Sequence, residues 1–572
     1  MNVTINDRVL EAANGETILS VAGRAGIKIP TLCHMEGLAP SGACRMCVVE
    51  DMNTGRLIPS CSQPAVEGMK IKTHSAKALE ARRTIIELLL ANHPDDCLYC
   101  VRNGSCTLQH LSEELGVRQR RYAGDRSRYD LDVSSPSLVR DPDKCILCGK
   151  CVRVCEEVQG VSAIDFVGRG SSSHISCAFE EGLNISSCIN CGQCIMVCPT
   201  GALSEKSNTE ELLAAIRNPE ITVVAQHAPA ISVSIAEEFG LKAGTDIADR
   251  MTGAMRRMGI DYIFPTSFSA DLTIMEEAAE LVERITTGGK LPMFTSCSPG
   301  WIKFIEEFYP DFLENVSSCK SPQQMMGAVV KRVWARDMGL DPTKIFHVSI
   351  MPCTAKKFEC DRPGMGVGSV RDVDAVLTTR EFAGLVRMFG IDLAAVVGEP
   401  ADSPMGERSS AGKIFAASGG VMEAAVRTAY HLITGKDIPR LEVKELRGFQ
   451  GIKETSVRIG DLDLTAAVVS GLGNARKLLD AIRKGEREYH FVEVMTCPGG
   501  CIAGGGQPFA QDPEVIRARM QALYSIDSAS TQRISHGNRS VMKLYAEHLG
   551  KPGSHKAHEL LHTDYAERKV MR

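Results

Sequence analysis

The chain has 572 residues, of which 44 % are apolar and 24 % charged, and its formal net charge is −5. This composition predicts a soluble globular protein of several domains and gives no reason to expect nucleic acid or an anionic membrane as a partner. No apolar run approaches the roughly 18 residues that a membrane-spanning helix needs, so no membrane span is expected.

Cysteine usage indicates both the cellular setting and the chemistry. The chain has 22 cysteines, and its start lacks the charged and apolar regions of a signal peptide. A long chain without such a signal is expected in the reducing cytoplasm, where cysteines bind metals more often than they form disulfides. The alternative is an exported complex that uses the signal of a partner.

The first predicted domain, residues 1–77, alternates like a hairpin and carries Cys33-x10-Cys44-x2-Cys47-x13-Cys61. A close cysteine pair with one cysteine before it and one well after follows the logic of plant-type [2Fe–2S] ferredoxins. The first gap is longer than usual, so the loop must be expanded. We predict one [2Fe–2S] cluster, with structural zinc as the alternative.

The second predicted domain, residues 78–117, contains His93-x3-Cys97-x2-Cys100-x5-Cys106. Spacing alone leaves zinc and a [4Fe–4S] cluster equally open, because zinc accepts this ligand mixture. The position between two iron–sulfur modules favours the cluster. A neutral histidine ligand in place of an anionic thiolate is expected to raise the potential of that cluster.

A polar, arginine-rich linker at 118–143 precedes a third predicted domain at 144–207. This domain has two runs with the spacing of a two-cluster ferredoxin, in which the fourth cysteine of each run binds the other cubane. The predicted ligands are Cys145, Cys148, Cys151 and Cys198 for one [4Fe–4S] cluster, and Cys155, Cys188, Cys191 and Cys194 for the other. Glu156 replaces the proline usual after the first run, and structural zinc or disulfides are the alternative.

Residues 208–572 alternate β-branched runs with amphipathic helices, which predicts mixed α/β layers with mostly parallel sheets. The fold class is therefore multidomain α/β with small α+β iron–sulfur modules. ITVVAQHAP and IFHVSIMPC are predicted strands, and ADLTIMEEAAELVERIT and GGVMEAAVRTAYHLIT are predicted helices. The segment AAVVSGLGNARKLL predicts a strand, a tight turn and a helix, without the full pattern of a nucleotide site.

Three cysteine sites follow predicted strands in this last domain. They are FTSCSPGW around Cys297, MPCTAKKFE around Cys353, and EVMTCPGGCIAGGGQP with Cys497 and Cys501. The carboxyl ends of strands are a usual place for sites in α/β folds. Glycines around the last pair allow the backbone to come close to a bulky inorganic ligand.

These motifs resemble a known family over essentially the whole chain. The string HPDDCLYCVRNGSCTLQ resembles the large iron–sulfur subunit of complex I and many [FeFe]-hydrogenases, and the three cysteine segments resemble the signature motifs of [FeFe]-hydrogenases. The most similar subtype is the catalytic subunit of NAD(P)-linked multi-subunit enzymes. The resemblance implies reversible oxidation of H₂ in an H-cluster domain at 208–572 that ends in a small-subunit-like tail.

The resemblance also implies the cofactors and their ligands. Besides one [2Fe–2S] and three accessory [4Fe–4S] clusters, it implies an H-cluster, a [4Fe–4S] part joined to a di-iron subsite with CO, cyanide and a bridging dithiolate. Cys353, Cys497 and Cys501 would bind the cubane, with Cys501 bridging to the di-iron subsite, and Lys356 would donate to a cyanide. Other family positions in or next to the pocket are Pro229, Ala230, Gln323, Met351, Glu359, Phe415 and Met495. Because relatives carry serine or alanine at Ala230, one cyanide contact is expected to be missing.

The first motif departs from the family pattern, T-S-C-C-P, because Ser298 follows Cys297. By register, Cys297 relays protons to the di-iron bridge and Ser298 takes the position of a cubane ligand. Iron in such clusters favours thiolate over a hard alkoxide. The alternative is therefore that Cys297 binds the iron and Ser298 relays protons.

A proton path is the second implied component. Glu277, Glu280 and Arg284 fall on one helical face, which by spacing alone predicts a solvated, salt-bridged stripe. The resemblance instead implies that these residues, with Ser317 and Cys297, connect the surface to the di-iron subsite. A carboxyl group buried there is expected to have a raised pKa.

The other cysteines and the histidines of the tail give weaker signals. Cysteines without a partner motif are predicted to be buried structural thiols: Cys177, Cys319 and Cys360. Three histidines at i, i+3 and i+7 are predicted to line one helix face in a surface or packing role: His555, His558 and His562.

Electrons are expected to leave through the accessory clusters to a ferredoxin or to flavin- and NAD(P)-binding partner subunits, because the chain has no convincing nucleotide site of its own. One alternative is an iron–sulfur electron-transfer subunit of a complex I-like or formate-oxidising assembly, which would leave the three C-terminal motifs unexplained. The other is a hydrogen sensor or cluster carrier, which has no use for a proton path.

Overall fold

The computed structural model describes residues 1–119, 121–439, 441–460, 462–509 and 512–570. Arg120 of the predicted linker lies outside this set. The chain forms two compact units. The first comprises Met1–Glu157, Ser162–Ser186 and Val197–Ser204, and the second comprises Val158–Val161, Ser187–Met196 and Glu205–Arg572.

The first unit contains short strands and helices. Its strands, the last of which ends in the second unit, are β1 (Asn2–Ile5), β2 (Arg8–Glu11), β3 (Val48–Asp51), β4 (Arg56–Pro59), β5 (Lys70–Lys72), β6 (Leu138–Arg140), β7 (Asp165–Val167), β8 (His174–Ser176) and β9 (Leu203–Glu205). Its helices are α1 (Ile18–Arg24), α2 (Ala76–Asn92), α3 (Thr107–Glu114) and α4 (Lys150–Arg153).

The expected hairpin at the start is confirmed. Strands β1 and β2 pair antiparallel within a five-stranded sheet of order β2-β1-β5-β3-β4. Helix α2 is attached to this sheet through the buried Arg82, whose Nη2 donates to the carbonyl oxygens of Val48 at 2.7 Å and Thr73 at 2.8 Å. The predicted linker contains a regular element, because β6 lies within it and pairs with β9.

The second unit holds the larger α/β fold. Its strands are β10 (Thr222–His227), β11 (Tyr262–Pro265), β12 (Met293–Phe294), β13 (Ile345–Met351), β14 (Gly366–Val367), β15 (Val370–Arg371), β16 (Ala375–Thr378), β17 (Ile452–Ile459), β18 (Leu462–Ser470) and β19 (Phe491–Met495). Its helices, the first of which ends in the first unit, are α5 (Gln193–Val197), α6 (Thr209–Arg217), α7 (Pro229–Ser232), α8 (Ala248–Arg257), α9 (Thr266–Thr287), α10 (Pro299–Phe308), α11 (Pro322–Val329), α12 (Ala335–Asp337), α13 (Ala355–Cys360), α14 (Thr379–Met388), α15 (Ser410–Ile414), α16 (Gly420–Thr434), α17 (Leu472–Arg483), α18 (Pro513–Ala529), α19 (Arg539–Leu544) and α20 (His555–Leu561).

Two four-stranded sheets organise this unit. The sheet β11-β10-β13-β16 is wholly parallel, and the sheet β12-β19-β18-β17 is parallel except for the pair β17–β18. Val224 and Ala225, neighbours on β10, belong to apolar clusters on opposite faces. Parallel sheets are covered on both faces, which explains the continuous apolar runs of these strands.

The four segments predicted as strands or helices have those structures, as β10, β13, α9 and α16. The Gly-x-Gly segment also forms the predicted strand, turn and helix, with Gly471 at φ 80° between β18 and α17. Glycine adopts this left-handed conformation without the steric cost that a Cβ would add. No helix among the described residues has both the length and the apolar character that crossing a membrane requires.

Candidate functional site

A largely apolar cavity of about 80 Å³ lies in the second unit, where the carboxyl ends of strands from both sheets approach. Cys353 is two residues beyond β13, Cys497 is two residues beyond β19, and Cys297 follows β12. The cavity is lined by the four motif cysteines and the serine of the first motif: Cys297, Ser298, Cys353, Cys497 and Cys501. The three motifs are therefore brought together.

Glycines fix the loop that carries the last two cysteines. Gly500 has φ 93°, and a Cβ there would lie 2.6 Å from the Ser418 nitrogen. A Cβ on Gly504 would lie 2.2 Å from the Pro352 carbonyl oxygen. These glycines are required because neighbouring backbone packs against them. The sequence had predicted a different reason, namely room for a ligand to approach the backbone.

Burial dominates the electrostatics of the three thiols on this cavity. It raises the pKa of Cys353, against the nearby Lys356 ammonium, and together with the neighbouring Cys353 it raises the pKa of Cys501 to about 12. Gln193 Nε2 donates to Cys497 Sγ at 3.2 Å. Three soft sulfur donors on one cavity are the donor set that cluster iron prefers, so these residues fit the cubane that the motifs imply.

Lys356 lines the cavity and is held in place by an acidic partner. Its Nζ is 2.9 Å from Glu359 Oε2 and donates to the Cys297 carbonyl oxygen at 3.1 Å. Gln323 Nε2 donates to the same Glu359 oxygen at 3.0 Å. An ammonium fixed at the edge of a small cavity can stabilise a negative ligand there.

Apolar side chains form most of the remaining wall. Of the predicted pocket residues, those that line the cavity are Pro229, Ala230, Gln323, Met351, Phe415 and Met495. Glu359 acts behind the wall through Lys356 and Gln323. Such a wall excludes water, which strengthens electrostatic interactions inside.

Ser298 precedes α10 and already has a hydroxyl partner. Its Oγ is 2.8 Å from Thr496 Oγ1 and accepts the Thr496 backbone N–H at 3.4 Å. Thr496 also lines the cavity. Sequence reasoning missed this partner, because a threonine beside a cysteine motif has no spacing of its own to mark it.

The predicted proton-path residues lie along α9 and the segment after β12. Glu277 is fully buried, its Oε1 accepts the Ser296 N–H at 3.3 Å, and burial raises its pKa to about 8. Burial, followed by the Glu277 carboxylate, raises the pKa of Cys297 well above its ordinary value. The raised pKa expected for a buried carboxyl group is thus found at Glu277.

The outer part of the predicted path is connected by hydrogen bonds. Ser317 Oγ donates to Glu280 Oε2 at 2.6 Å, and Arg284 Nη2 donates to Glu280 Oε1 at 2.6 Å. Glu280 and Arg284 are each about one-seventh exposed at the side chain. The stripe is therefore mostly buried, unlike the solvated face that spacing alone predicted.

In the first unit, the cysteines of the first domain form two hydrogen-bonded pairs, Cys33 with Cys44 and Cys47 with Cys61. The side-chain hydrogen bonds lower the pKa of Cys33 and Cys47 and raise the pKa of their partners. The predicted [2Fe–2S] ligands are therefore close together.

The His/Cys3 set also converges. His93, Cys97 and Cys106 line one cavity, and the nearby Cys100 raises the pKa of Cys106 after the larger effect of burial. His93 Nδ1 lies 3.0 Å from the Pro94 carbonyl oxygen. A carbonyl can only accept, so Nδ1 donates to Pro94, a hydrogen bond of the kind that orients the ring of a metal-binding histidine.

The two predicted sets of ferredoxin ligands differ in the compact units to which their cysteines belong. The first set surrounds one small cavity in the first unit: Cys145, Cys148, Cys151 and Cys198. In the second set, Cys155 belongs to the first unit and Cys188, Cys191 and Cys194 belong to the second.

The remaining predictions are partly correct. Cys177, Cys319 and Cys360 are buried as expected. Helix α20 ends at Leu561, so the prediction that all three tail histidines share one helix face is wrong for His562, which caps the helix in an extended conformation. His555 and His558 are exposed, whereas His562 is buried among hydrogen-bond partners.

Models of five families match successive stretches of the chain. They are the 2Fe-2S iron-sulfur cluster binding domain at 1–76, the NADH-ubiquinone oxidoreductase-G iron-sulfur binding region at 82–121, the NADH-quinone oxidoreductase subunit 3 ferredoxin-like domain at 135–204, the C-terminal domain of the iron only hydrogenase large subunit at 221–505, and the iron hydrogenase small subunit at 513–568. A multidomain α/β protein with ferredoxin-like iron–sulfur modules and an H-cluster domain is thereby confirmed.

Whole proteins of the same kind are similar over the full length. The NADP-reducing hydrogenase subunit HndD of Solidesulfovibrio fructosivorans is 44 % identical over 100 % of this chain and 99 % of its own. Iron hydrogenase 1 of Clostridium pasteurianum is 40 % identical over 98 % of this chain and 99 % of its own. An apo form of the [FeFe]-hydrogenase HydA1 from Chlamydomonas reinhardtii superposes with a TM-score of 0.58 at 42 % identity, covering 64 % of this chain and all of that one. The chain belongs to the iron-only, or [FeFe], hydrogenase family.

Proposed function

We propose that the chain catalyses the reversible oxidation of H₂ to protons and electrons at an H-cluster in the cavity of the second unit. The observation that carries the proposal is the convergence of Cys353, Cys497, Cys501 and Lys356 on one largely apolar cavity. A carboxyl group with a raised pKa lies beside it, which suits proton exchange near neutral pH.

In this proposal Cys353, Cys497 and Cys501 would hold the cubane, and Cys501 would also help to hold the di-iron subsite. When bound, the cluster supplies the redox chemistry of H₂. Lys356 stabilises a negatively charged cyanide, and Glu359 holds the ammonium in place. The apolar wall excludes water from the reacting site, and Ala230 offers no hydroxyl to a ligand.

The protein's own titratable groups move the proton. The Cys297 thiol accepts or donates the proton at the cavity. Glu277, which is bound to Ser296, exchanges the proton with Cys297, and Glu280 with Ser317 passes it on toward the surface. Arg284 orients Glu280 through a 2.6 Å hydrogen bond. Each of these groups except Arg284 can release and regain a proton, as a relay requires.

Ser298 occupies the position of a fourth cubane ligand in this proposal, with Cys297 as the relay. The backbone N–H of Thr496 supports it, because a hydrogen bond donated to Ser298 Oγ stabilises negative charge on that oxygen. The exchanged arrangement, with Cys297 on the iron, follows from the thiolate preference of iron.

Electrons are proposed to pass through one [2Fe–2S] and three [4Fe–4S] clusters with the ligands given above. The modules are proposed at residues 1–77, 78–117 and 144–207, followed by the H-cluster domain. The NADP-reducing relative favours a pyridine-nucleotide-linked partner that binds flavin and NAD(P), and ferredoxin is a second candidate. The cytoplasm is the proposed location.

The deciding experiment is an infrared spectrum of the anaerobically matured protein. Terminal and bridging CO stretches together with cyanide stretches are expected, along with H₂-dependent dye reduction. A Cys501→Ala variant should lose the bands but keep the iron of the accessory clusters. Iron without CO and cyanide bands in the wild type contradicts the proposal.

A second candidate, a hydrogen sensor or cluster carrier, is favoured by one observation, the serine at the ligand position of the first motif. A sensor would show the CO and cyanide bands with very slow turnover in both directions, and a cluster carrier would show neither bands nor turnover. An iron–sulfur electron-transfer subunit without an H-cluster would lack the bands altogether.

A further inference from the structure

The C-terminal tail lies against the outer part of the proposed proton path. An isolated antiparallel bridge joins Cys319 to His562, just beyond helix α20. The Thr563 N–H donates to the Ser318 carbonyl oxygen at 2.8 Å. These backbone contacts fix the imidazole of His562 next to the thiol of Cys319, although about 240 residues separate them in sequence.

Arg284 closes one side of Glu280 but is a poor source of protons. Besides the carboxylate of Glu280, its guanidinium donates to backbone carbonyl oxygens of four residues: Lys290, Glu314, Asn315 and Val316. A guanidinium does not lose its proton in proteins. Arg284 therefore orients Glu280 and does not itself deliver protons from solvent.

The other side of Glu280 faces a thiol and an imidazole. An oxygen of Glu280, the sulfur of Cys319 and a ring nitrogen of His562 all lie within 4.8 Å of one another. Cys319 Sγ donates to Glu280 Oε2 at 3.8 Å and lies 4.0 Å from His562 Nδ1. Burial, followed by nearby carboxylates, raises the pKa of Cys319 well above its ordinary value, so the thiol keeps a proton to donate.

His562 is buried and connects this group to Ser318, which is half-buried. Its Nδ1 is also 2.8 Å from Ser318 Oγ, and its Nε2 is 3.0 Å from Glu276 Oε2. Its ring stacks on that of the exposed His558, with centroids 3.8 Å apart and 14° between the planes. A protonated imidazole can release the proton on one nitrogen and regain a proton at that nitrogen, while the other N–H stays bound to its acceptor.

We propose that His562 and Cys319 form a proton branch that joins Glu280 to solvent at the C-terminal tail; this rests on the proposed function. Glu276 Oε2 accepts from Nε2 of His562, so the Nδ1 proton of the doubly protonated ring passes to Cys319 Sγ while the S–H proton of Cys319 passes to Glu280 Oε2. Nδ1 of His562 then regains a proton from the hydroxyl of the half-buried Ser318, 2.8 Å away, and Ser318 regains one from solvent. One proton moves inward, no electrons move, and Cys319 and His562 end as they began. For H₂ oxidation the same steps run in reverse.

The test compares His562→Phe and Cys319→Ala with His555→Phe, an exposed histidine on the same tail helix. We expect the first two variants to lose about tenfold in H₂ evolution and to show a larger solvent deuterium isotope effect, because proton transfer becomes limiting. The CO and cyanide bands should be unchanged, and His555→Phe should match the wild type. The double variant should lose no more than either single variant, because both residues serve one branch.

Two further variants separate relay from packing. Cys319→Ser keeps a proton-bearing side chain and should retain most of the activity, and added imidazole should restore His562→Ala. Wild-type rates and isotope effects in His562→Phe overturn the proposal, as does a double variant whose loss is the product of the single losses. If His562→Phe does not fold, the two Cys319 variants decide by the same criteria.

A readout on iron-free protein keeps this inference distinct from the proposed function. The infrared S–H band that disappears in Cys319→Ala should exchange with D₂O, and that exchange should slow in His562→Phe. Slowed exchange together with absent H₂ turnover in the wild type would leave the branch standing and remove the hydrogenase function. Equal exchange rates in both proteins count against the branch whatever the turnover.

Discussion

The two arrangements of the first motif give Cys297 different roles, a proton relay in one and an iron ligand in the other. In the register arrangement, Cys297→Ala should keep the CO and cyanide bands and lower turnover by at least about 100-fold, because the proton transfer next to the cavity is lost. Infrared spectra and dye-linked H₂ assays measure the two effects. Loss of the bands would instead place Cys297 on the iron. Cys177→Ala, which removes another buried thiol, is the matched control.

The raised pKa of Glu277 makes the folded state less stable as the pH rises. Its folded pKa of about 8 is above the ordinary 4.5, so the folded state binds the proton more tightly. Its favourable contribution is full below about pH 4.5 and is lost as the pH rises through about 8. At about 1.4 kcal/mol per pKa unit, the loss is roughly 5 kcal/mol.

Glu277→Gln should therefore remove this fall in stability between about pH 5 and 8, because a neutral amide replaces the titrating carboxyl group. Denaturant unfolding of iron-free protein at a series of pH values measures this pH dependence of the free energy of unfolding. Glu283→Gln, an exposed change on the same helix, should keep the wild-type slope. Turnover of the matured Glu277→Gln variant should fall by at least about 100-fold. Parallel slopes for wild type and Glu277→Gln would contradict the assignment.

Among the secondary-structure elements, α16 and α18 are joined by a buried charge network. Arg427 on α16 is fully buried and donates to Glu423 at 2.6 Å and to Asp527 on α18 at 2.9 Å. Burial alone would raise the pKa of Asp527, yet hydrogen bonds from Arg427 and Arg533 lower it to about 2. The network attaches the start of the small-subunit-like tail to the rest of the second unit.

Arg427→Met should lower the free energy of unfolding of the second unit by about 3 kcal/mol, because two buried carboxylates lose their main partner. Thermal unfolding of iron-free protein measures the change. Arg458→Met, which breaks the exposed pair with Asp463, should cost less than about 1 kcal/mol. Equal shifts in the two variants would mean that the network adds little to stability.

The elements themselves could largely be predicted from sequence, and the way in which they meet could not. Buried parallel strands such as β10 and β13 have continuous β-branched runs, and α9 has helical periodicity, so local pattern was sufficient. The place of α20 depends on its backbone bridge to the segment after Ser317. That contact joins residues far apart in the chain, and no periodicity in either segment encodes it.

The candidate site could likewise be predicted only in part from the sequence. Cys353, Cys497 and Lys356 lie in compact motifs that sequence reasoning could recognise. Thr496 beside Ser298, and His562 beside Cys319, were missed because the partners acquire a role only through tertiary contact. The buried cysteine and the tail histidine were each noticed, but nothing in their spacing connected them.

For the whole molecule, electron exit is the testable property. Cys44→Ser replaces a thiolate proposed to bind the [2Fe–2S] cluster with a hard hydroxyl ligand. We expect reduction of pyridine nucleotide through partner subunits to fall about tenfold or more, while H₂-dependent reduction of a small viologen dye stays within about twofold, because a dye can take electrons from other clusters. Cys177→Ala is again the control. Equal losses in both assays would exclude this cluster as the specific exit.

Because the tail belongs to the same chain as the catalytic domain, its contacts are expected to depend little on protein concentration. The stretch 513–568 matches the iron hydrogenase small subunit family, and here it belongs to the same chain as the stretch that matches the large subunit. A tethered segment meets its surface at an effective concentration set by the connecting loop and not by protein abundance. The contacts of His562 are therefore expected to persist at concentrations at which a two-chain hydrogenase would dissociate, so the enzyme can be scarce without losing its tail.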